Sequence, residues 1–225
     1  FLPDVLCIQE LRQKSMELLD EVLPGYCRVE DPYPGWTQEG NIYWNGGLLE
    51  EVEHGAEEIG IVEELRRLFW VRLKLVGQKI TFLVANAHFT YQGHAQEIAT
   101  GQSPRREQTL RTVEALQRLA GQDEPVLLCG DLNDPYLPAI YLHAAGYQSC
   151  FSDLGLLCPP TWPCYPTSNF AAGHQVANQT IDWIYHNQHL RTVSAQVPHC
   201  YHGDIAPSDH WPVQAVYELR STAIT

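Results

Sequence analysis

Seven polar side chains in this 225-residue chain are of types that bind cations, move protons or hold phosphate. Asp131 and Asn133 lie in LLCGDLND (127–134), two residues apart, so on an extended chain they point the same way. Asp182 lies in TIDWIYH between Ile181 and Trp183, and an aspartate on so apolar a run is costly unless it is paired or bound to something. Asp209 and His210 directly precede WPVQAVYEL, Glu10 ends PDVLCIQE, and His88 ends the run from Thr81. Carboxylates and an amide, with no cysteine among them, select a hard divalent cation such as Mg2+ or Mn2+. Histidines beside carboxylates suit general acid-base work or stabilisation of a phosphoryl oxygen. Together they suggest metal-assisted hydrolysis of a phosphate ester.

Each residue also has a plain structural alternative. GDLND and SDH suit turns, Glu10 suits the cap of a following helix, and His88 suits an ordinary half-buried position. Placement weighs against those alternatives. The polar residues recur at the ends of apolar runs, which is what a site at one end of a sheet needs.

The runs themselves alternate between strand-like and helix-like patterns. PDVLCIQE reads as a strand, followed by a helix with Leu11, Leu18, Leu19 and Val22 at near-helical spacing and Pro24-Gly25 as a stop. GNIYWNGGLLEEVE reads as a hairpin around Asn45-Gly46, and a longer hairpin flanks Gly77-Gln78. Ser103-Pro104 opens a helix with an expected buried stripe of Leu110, Val113, Leu116 and Leu119, ended by Gly121. A strand (EPVLLCG), a helix (LPAIYLHAAG), a long loop rich in Pro, Cys and Asn, and two closing strands (QTIDWIYHN, WPVQAVYEL) complete the order. The central hairpin excludes a purely parallel doubly wound sheet. An α/β fold of two mixed sheets packed face to face, with helices outside, fits better. Residues 1–225 contain no repeat, linker or low-complexity run and read as one domain.

Composition narrows the class further. Apolar residues are 44% and charged residues 18%, as in a globular domain, and no run approaches the roughly 20 apolar residues that span a bilayer. The net charge of -13 argues against holding long nucleic acid by phosphate neutralisation, but it is compatible with a phosphate enzyme whose cation supplies the positive charge. Seven cysteines without a CxxC pair point to a reducing, intracellular and cytoplasmic location. Cys158 and Cys164 are the one conceivable pair. The chain opens FLPDVLCIQE, with neither Met nor a basic leader, and is expected to be an N-terminally truncated fragment.

In this order and spacing, PDVLCIQE, ANAHF, CGDLND, TIDWIY and PSDHWPV resemble the endonuclease/exonuclease/phosphatase superfamily, from about residue 3 to residue 219. The resemblance implies a DNase I-like four-layer α/β sandwich and a Mg2+- or Mn2+-dependent phosphoesterase. It implies Glu10 as the principal metal ligand and Asp209 as a further metal or water ligand. Asp131 and Asn133 would position the attacking water and hold the phosphate. His210, oriented by Asp182, would contact the scissile phosphate, and His88 matches a second phosphate-facing histidine. Family members carry a metal-binding Asn on a first strand ahead of the QE box, which this chain starts too late to contain. Tyr43 and Asn45 are the nearest candidates for a further phosphate contact, whereas the RREQ helix start (105–108) suits a structural role. Tyr33, Trp36, Tyr91 and Trp162 fall in expected loops and could stack on bases. His199, Cys200 and His202 lie close together, but their spacing is unlike structural zinc sites. Three functions stay open. They are a nuclease-type phosphodiesterase acting on single-stranded nucleic acid, a phosphatase or phosphodiesterase for a small molecule or lipid headgroup, and a non-catalytic binding module.

Overall fold

The computed structural model describes residues 2–167 and 177–220. In chain order its elements are β1 (Val5–Gln9), α1 (Gln13–Val22), β2 (Tyr26–Arg28), α2 (Gly35–Gln38), β3 (Gly40–Asn45), β4 (Leu49–Glu57), β5 (Leu68–Leu75) and β6 (Thr81–His88). Then come α3 (Ala95–Thr100), α4 (Pro104–Leu119), β7 (Val126–Asp131), α5 (Leu137–Ala144), β8 (Gln148–Ser149) and α6 (Cys150–Asp153). The chain closes with β9 (Asp182–His186), β10 (Leu190–Gln196) and β11 (Gln214–Leu219). Part of the long loop expected after α5 lies outside the described residues.

Six strands form the central sheet in the order β4-β5-β6-β7-β9-β8. β6 and β7 run parallel and the other neighbours antiparallel, so the sheet is mixed. Side chains alternate across a strand, and here both faces are covered. Leu68, Trp70, Leu83, Ala85 and Ala87 meet Ala115 and Leu116 of α4 and Leu142 of α5 on one face. Phe69, Val71, Leu73 and Val84 meet Ile42 and Trp44 of β3, with Trp36, on the other. Tyr43, between Ile42 and Trp44, points the opposite way and its hydroxyl lies 3.2 Å from Asp20 of α1. The layers are therefore α4 and α5, the central sheet, the β1-β3-β2 sheet, and α1.

The second strand layer is antiparallel and comes in two pieces among the described residues, β1-β3-β2 and β10-β11. The latter, whose first strand was not foreseen in the sequence, packs near β9, with the Tyr217 and His186 rings 5.2 Å apart.

Three expectations need correction. The turn at Asn45-Gly46 forms, with Leu48 N–H donating to Asn45 O at 3.0 Å, but β3 and β4 do not pair. β1 and β2 already occupy both edges of β3, so β4 crosses to the central sheet and pairs with β5. The hairpin around Gly77-Gln78 is as expected. The buried face of α4 is more polar than its leucine stripe suggested: Arg105, Gln108, Thr109 and Thr112 are buried with Ala115 and Leu116. Gln108 satisfies the backbone N–H and the hydroxyl of Thr90, where the chain leaves β6. Ser103 stands at the N-cap of α4 but its hydroxyl makes no capping bond. Among the described residues, no helix is long and apolar enough to cross a membrane.

Candidate active site

Backbone pairing sets the floor of the site. His88 ends β6 opposite Asp131, which ends β7, and Asp131 stands opposite Asp182, which begins β9. Three neighbouring strands thus present imidazole, carboxylate and carboxylate in one row. Gly130 makes this approach possible, because a Cβ there would lie 2.0 Å from Ala87 O. That contact explains why a glycine breaks the apolar run just before Asp131.

Beyond the strands, the chain bends sharply. Asn133 (φ 50°) and Glu10 (φ 53°) occupy the left-handed region that non-glycine residues seldom enter. Around Asn133 the surrounding bonds hold that conformation. Its backbone N–H donates to Asp131 Oδ1 at 2.8 Å, and its amide donates to Phe89 O at 2.9 Å. The same amide lies 3.3 Å from Asp131 Oδ2. Strained backbone of this kind clusters where geometry serves function rather than stability.

His210 arrives from the loop before β11, with Nδ1 2.9 Å from Asp182 Oδ2. Thr161 holds both partners of that pair. Its hydroxyl accepts the backbone N–H of Ile181 and Asp182, each at 3.1 Å, and its carbonyl accepts Trp211 N–H at 2.7 Å. Ligand atoms of Asp131, Asp182 and His210 all lie within 4.8 Å of one another.

Charge is distributed unevenly here. Burial disfavours a charged His210, but the Asp182 hydrogen bond and the carboxylates of Asp182, Asp131 and Asp209 outweigh it and raise its pKa to about 9. His88 goes the other way: burial, then the Arg66 and His210 charges, lower it to about 3. A neutral His88 therefore lies with Nε2 3.4 Å from Asp131 Oδ2. Burial, followed by the nearby charge of Asp182, pushes the Asp131 carboxyl well above the usual carboxylate range. A cluster in which an aspartate resists ionisation is short of positive charge.

The family model for the Endonuclease/Exonuclease/phosphatase family matches residues 1–210. The chain belongs to this family. Among solved structures, D. rerio TDP2 complexed with a single-strand DNA product has a TM-score of 0.76 at 19% identity, over 96% of this chain and 86% of that one. The human Nocturnin catalytic domain with bound sulfate anion has a TM-score of 0.72 at 18% identity, over 97% and 81%. The mannosyl-6-phosphatase Bt3783 of Bacteroides thetaiotaomicron has 0.74 at 18%, over 96% and 85%. At these identities the likeness is one of fold. No curated protein sequence matches the chain.

The endonuclease/exonuclease/phosphatase fold gathers most of the residues singled out above. Asp131, Asn133, Asp182, His210 and His88 surround one spot, and Glu10 is near enough for its charge to act on Asp131. The Glu10 side chain is 69% exposed and lies 4.0 Å from Arg66. Asp209 is half-buried beside His210, its carbonyl accepting Cys164 N–H at 2.8 Å.

Other candidates fall away. Tyr43 faces α1, and Asn45 Oδ1 accepts Gly47 N–H at the far end of β3, so neither reaches the site. Trp36 is core, and Tyr33 lies under Arg67 and donates to Glu64 O. Trp162 stays beside the site, its ring 6.4 Å from His210, and Tyr91 is half exposed. His199 stacks on Trp211, and Cys158 and Cys164 are free thiols.

Two residues near the site escaped sequence reasoning. Arg66 pairs with Glu39 at 2.9 Å and lies near Glu63 and Glu10, a cation in an acidic rim. A basic pair ahead of a strand in so acidic a chain was the available signal. Thr161, the other, had none, because its partners lie about 20 and 50 residues downstream.

Proposed function

We propose that this chain is a divalent-metal-dependent phosphodiesterase of nuclease type. The observation that carries the reading is the Asp131, Asp182 and His210 cluster, with Asn133 and a neutral His88 on its flank. An oxygen-rich donor set with excess negative charge suits Mg2+ or Mn2+, and Glu10, Asp209 and Asp131 are the residues that would hold it. Such an ion, when bound, supplies Lewis-acid stabilisation of charge on the phosphate.

The chain's own residues divide the remaining work. Asp182 keeps His210 protonated, so its Nε2–H can donate to a phosphate oxygen as charge builds there. The Asn133 amide and the Asp131 carboxylate orient the attacking water and phosphate. His88 stays neutral and steadies Asp131 from behind. The left-handed turn at Asn133 holds the amide in place before substrate arrives. The TDP2 structure with a single-strand DNA product favours a nucleic-acid substrate over a sugar phosphate, although a mannosyl-6-phosphatase shares the fold. Free thiols without a CxxC pair support an intracellular site of action.

The test is hydrolysis of bis-p-nitrophenyl phosphate and of a fluorescent single-stranded oligonucleotide, with Mg2+, with Mn2+ and with EDTA. Cleavage of both in the presence of metal, lost in EDTA, is expected. Asp131→Ala should lower turnover by roughly a thousandfold or more. Metal-independent cleavage, or wild-type turnover in Asp131→Ala, would sink the reading.

A further inference from the structure

On the segments that follow His88 and Asn133, four large apolar side chains stand in solvent: Tyr91 (51% exposed), Ile98 (75%), Tyr136 (74%) and Ile140 (61%). Single exposed apolar residues are ordinary. These four belong to two segments joined through one buried cation. Arg105 is 2% exposed, and its guanidinium donates to Thr90 O at 3.0 Å, Glu97 Oε1 at 2.5 Å and Asp134 Oδ2 at 3.3 Å.

Each of those partners belongs to a segment that leaves the site. Thr90 follows His88 out of β6. Glu97 lies in α3, and its second oxygen accepts Gly93 N–H at 2.9 Å, closing the loop that carries Tyr91 and Ile98. Asp134 follows Asn133, and its Oδ1 accepts the N–H groups of Tyr136 (2.8 Å) and Leu137 (2.9 Å) at the start of α5. Ile140 stands one turn on from Tyr136 in the same helix, its N–H donating to Tyr136 O. A guanidinium shared among two carboxylates and a carbonyl, one bond from each nitrogen, holds its partners in a fixed geometry. Both exposed segments are thereby fixed relative to the turn that carries Asp131 and Asn133.

We propose that Tyr91, Ile98, Tyr136 and Ile140 form a substrate ledge, pinned by Arg105, which receives a nucleobase flanking the scissile phosphate of a single strand. The inference rests on the phosphodiesterase reading above. Charge limits how such a strand can be held. A chain with a net charge of -13 gains little by neutralising successive phosphates, so its grip on a strand must come from base contacts. Aromatic and flat apolar faces supply that grip without preference for sequence. Arg105 and Glu97 are positioning residues, whereas the tyrosines touch substrate.

The deciding experiment uses the whole chain with Mg2+ and two strands, one ordinary and one with tetrahydrofuran abasic residues on both sides of the cleaved linkage. The wild type should show a KM about tenfold lower for the base-bearing strand, with similar kcat. Tyr136→Ala should erase that preference, Tyr136→Phe should keep it, and Glu97→Gln should weaken it by loosening the loop. Equal KM for the two strands in the wild type overturns the ledge, as does an intact preference in Tyr136→Ala. If neither strand is cut, the phosphodiesterase reading is what fails. Fluorescence anisotropy of the same strands then decides the ledge: a base-dependent Kd lost in Tyr136→Ala supports it, and equal or absent binding overturns it.

Discussion

Asp131 ends β7, Asp182 begins its neighbour β9, and the two owe their separation to backbone pairing, whereas Tyr91 and Tyr136 stand on segments that owe theirs to the guanidinium of Arg105. The first pair is buried or half-buried and carboxylic; the second is exposed and phenolic. On the reading proposed above, chemistry that tolerates little misplacement sits on the sheet, and contacts that select what is presented to it sit on loops. If that division holds, damage to the floor should stop all substrates alike, while damage to the rim should sort them.

The largest effect should come from breaking the Asp182–His210 pair. His210→Gln or Asp182→Asn should lower kcat/KM on every phosphodiester by roughly a hundredfold or more. His210 has its pKa raised to about 9, so the activity that needs its proton is present below that pH and lost above it. Without the Asp182 carboxylate, this alkaline loss in Asp182→Asn should move to lower pH in a kcat/KM profile. An unmoved limb would separate His210 from Asp182.

Next in size is Gly130→Ala, whose Cβ would collide with Ala87 O. A cost of about 2 to 4 kcal/mol in urea unfolding is expected, with activity lost on all substrates as β6 and β7 separate. Wild-type stability in this variant would show that the strand ends are not held by close approach.

Thr161→Val removes the hydroxyl that accepts from Ile181 and Asp182, leaving two backbone donors without a partner. About 1 to 3 kcal/mol of stability and roughly tenfold in kcat should be lost, with Thr161→Ser restoring both. Loss of stability alone would confine Thr161 to a structural part.

The smallest effect lies away from both regions. His54 on β4 contacts Glu51 at 2.6 Å and Asp31 at 3.2 Å. Burial opposes its charge, but the two carboxylates outweigh burial and raise its pKa. Its contribution should therefore be complete below about pH 6.5 and fade as pH rises through the higher folded value. At a half-exposed pair this is worth a few tenths of a kcal/mol. Urea midpoints of wild type and His54→Gln should differ at pH 6 and converge by pH 9; a gap that widens with pH would contradict the assignment.

The same division explains what could be read beforehand. LLCGDLND declared itself because a core-like run ended in groups that a core rejects, and Asp182 did so between Ile181 and Trp183. Local pattern also marked β5-β6, α4, α5 and β9. It could not say that β3 has both edges filled, so Asn45-Gly46 looked like a hairpin. Nor could it say that His88 would stand beside Asp131, because strand order is a property of the sheet. The polar face of α4 was hidden for a similar reason. Arg105 and Gln108 are buried because Thr90, Glu97 and Asp134 converge on them, and those partners all lie outside the helix, 8 to 29 residues away.

The row of His88, Asp131 and Asp182 works as a ruler. Its rungs are the spacing of paired strands, about 4.8 Å, and that spacing is the same whatever chain leaves the strand ends. Segments 91–103 and 134–141 are in that sense interchangeable parts. A lineage could replace them and come to cut a different phosphate ester while the spacing of its reactive groups stayed where the sheet had set it.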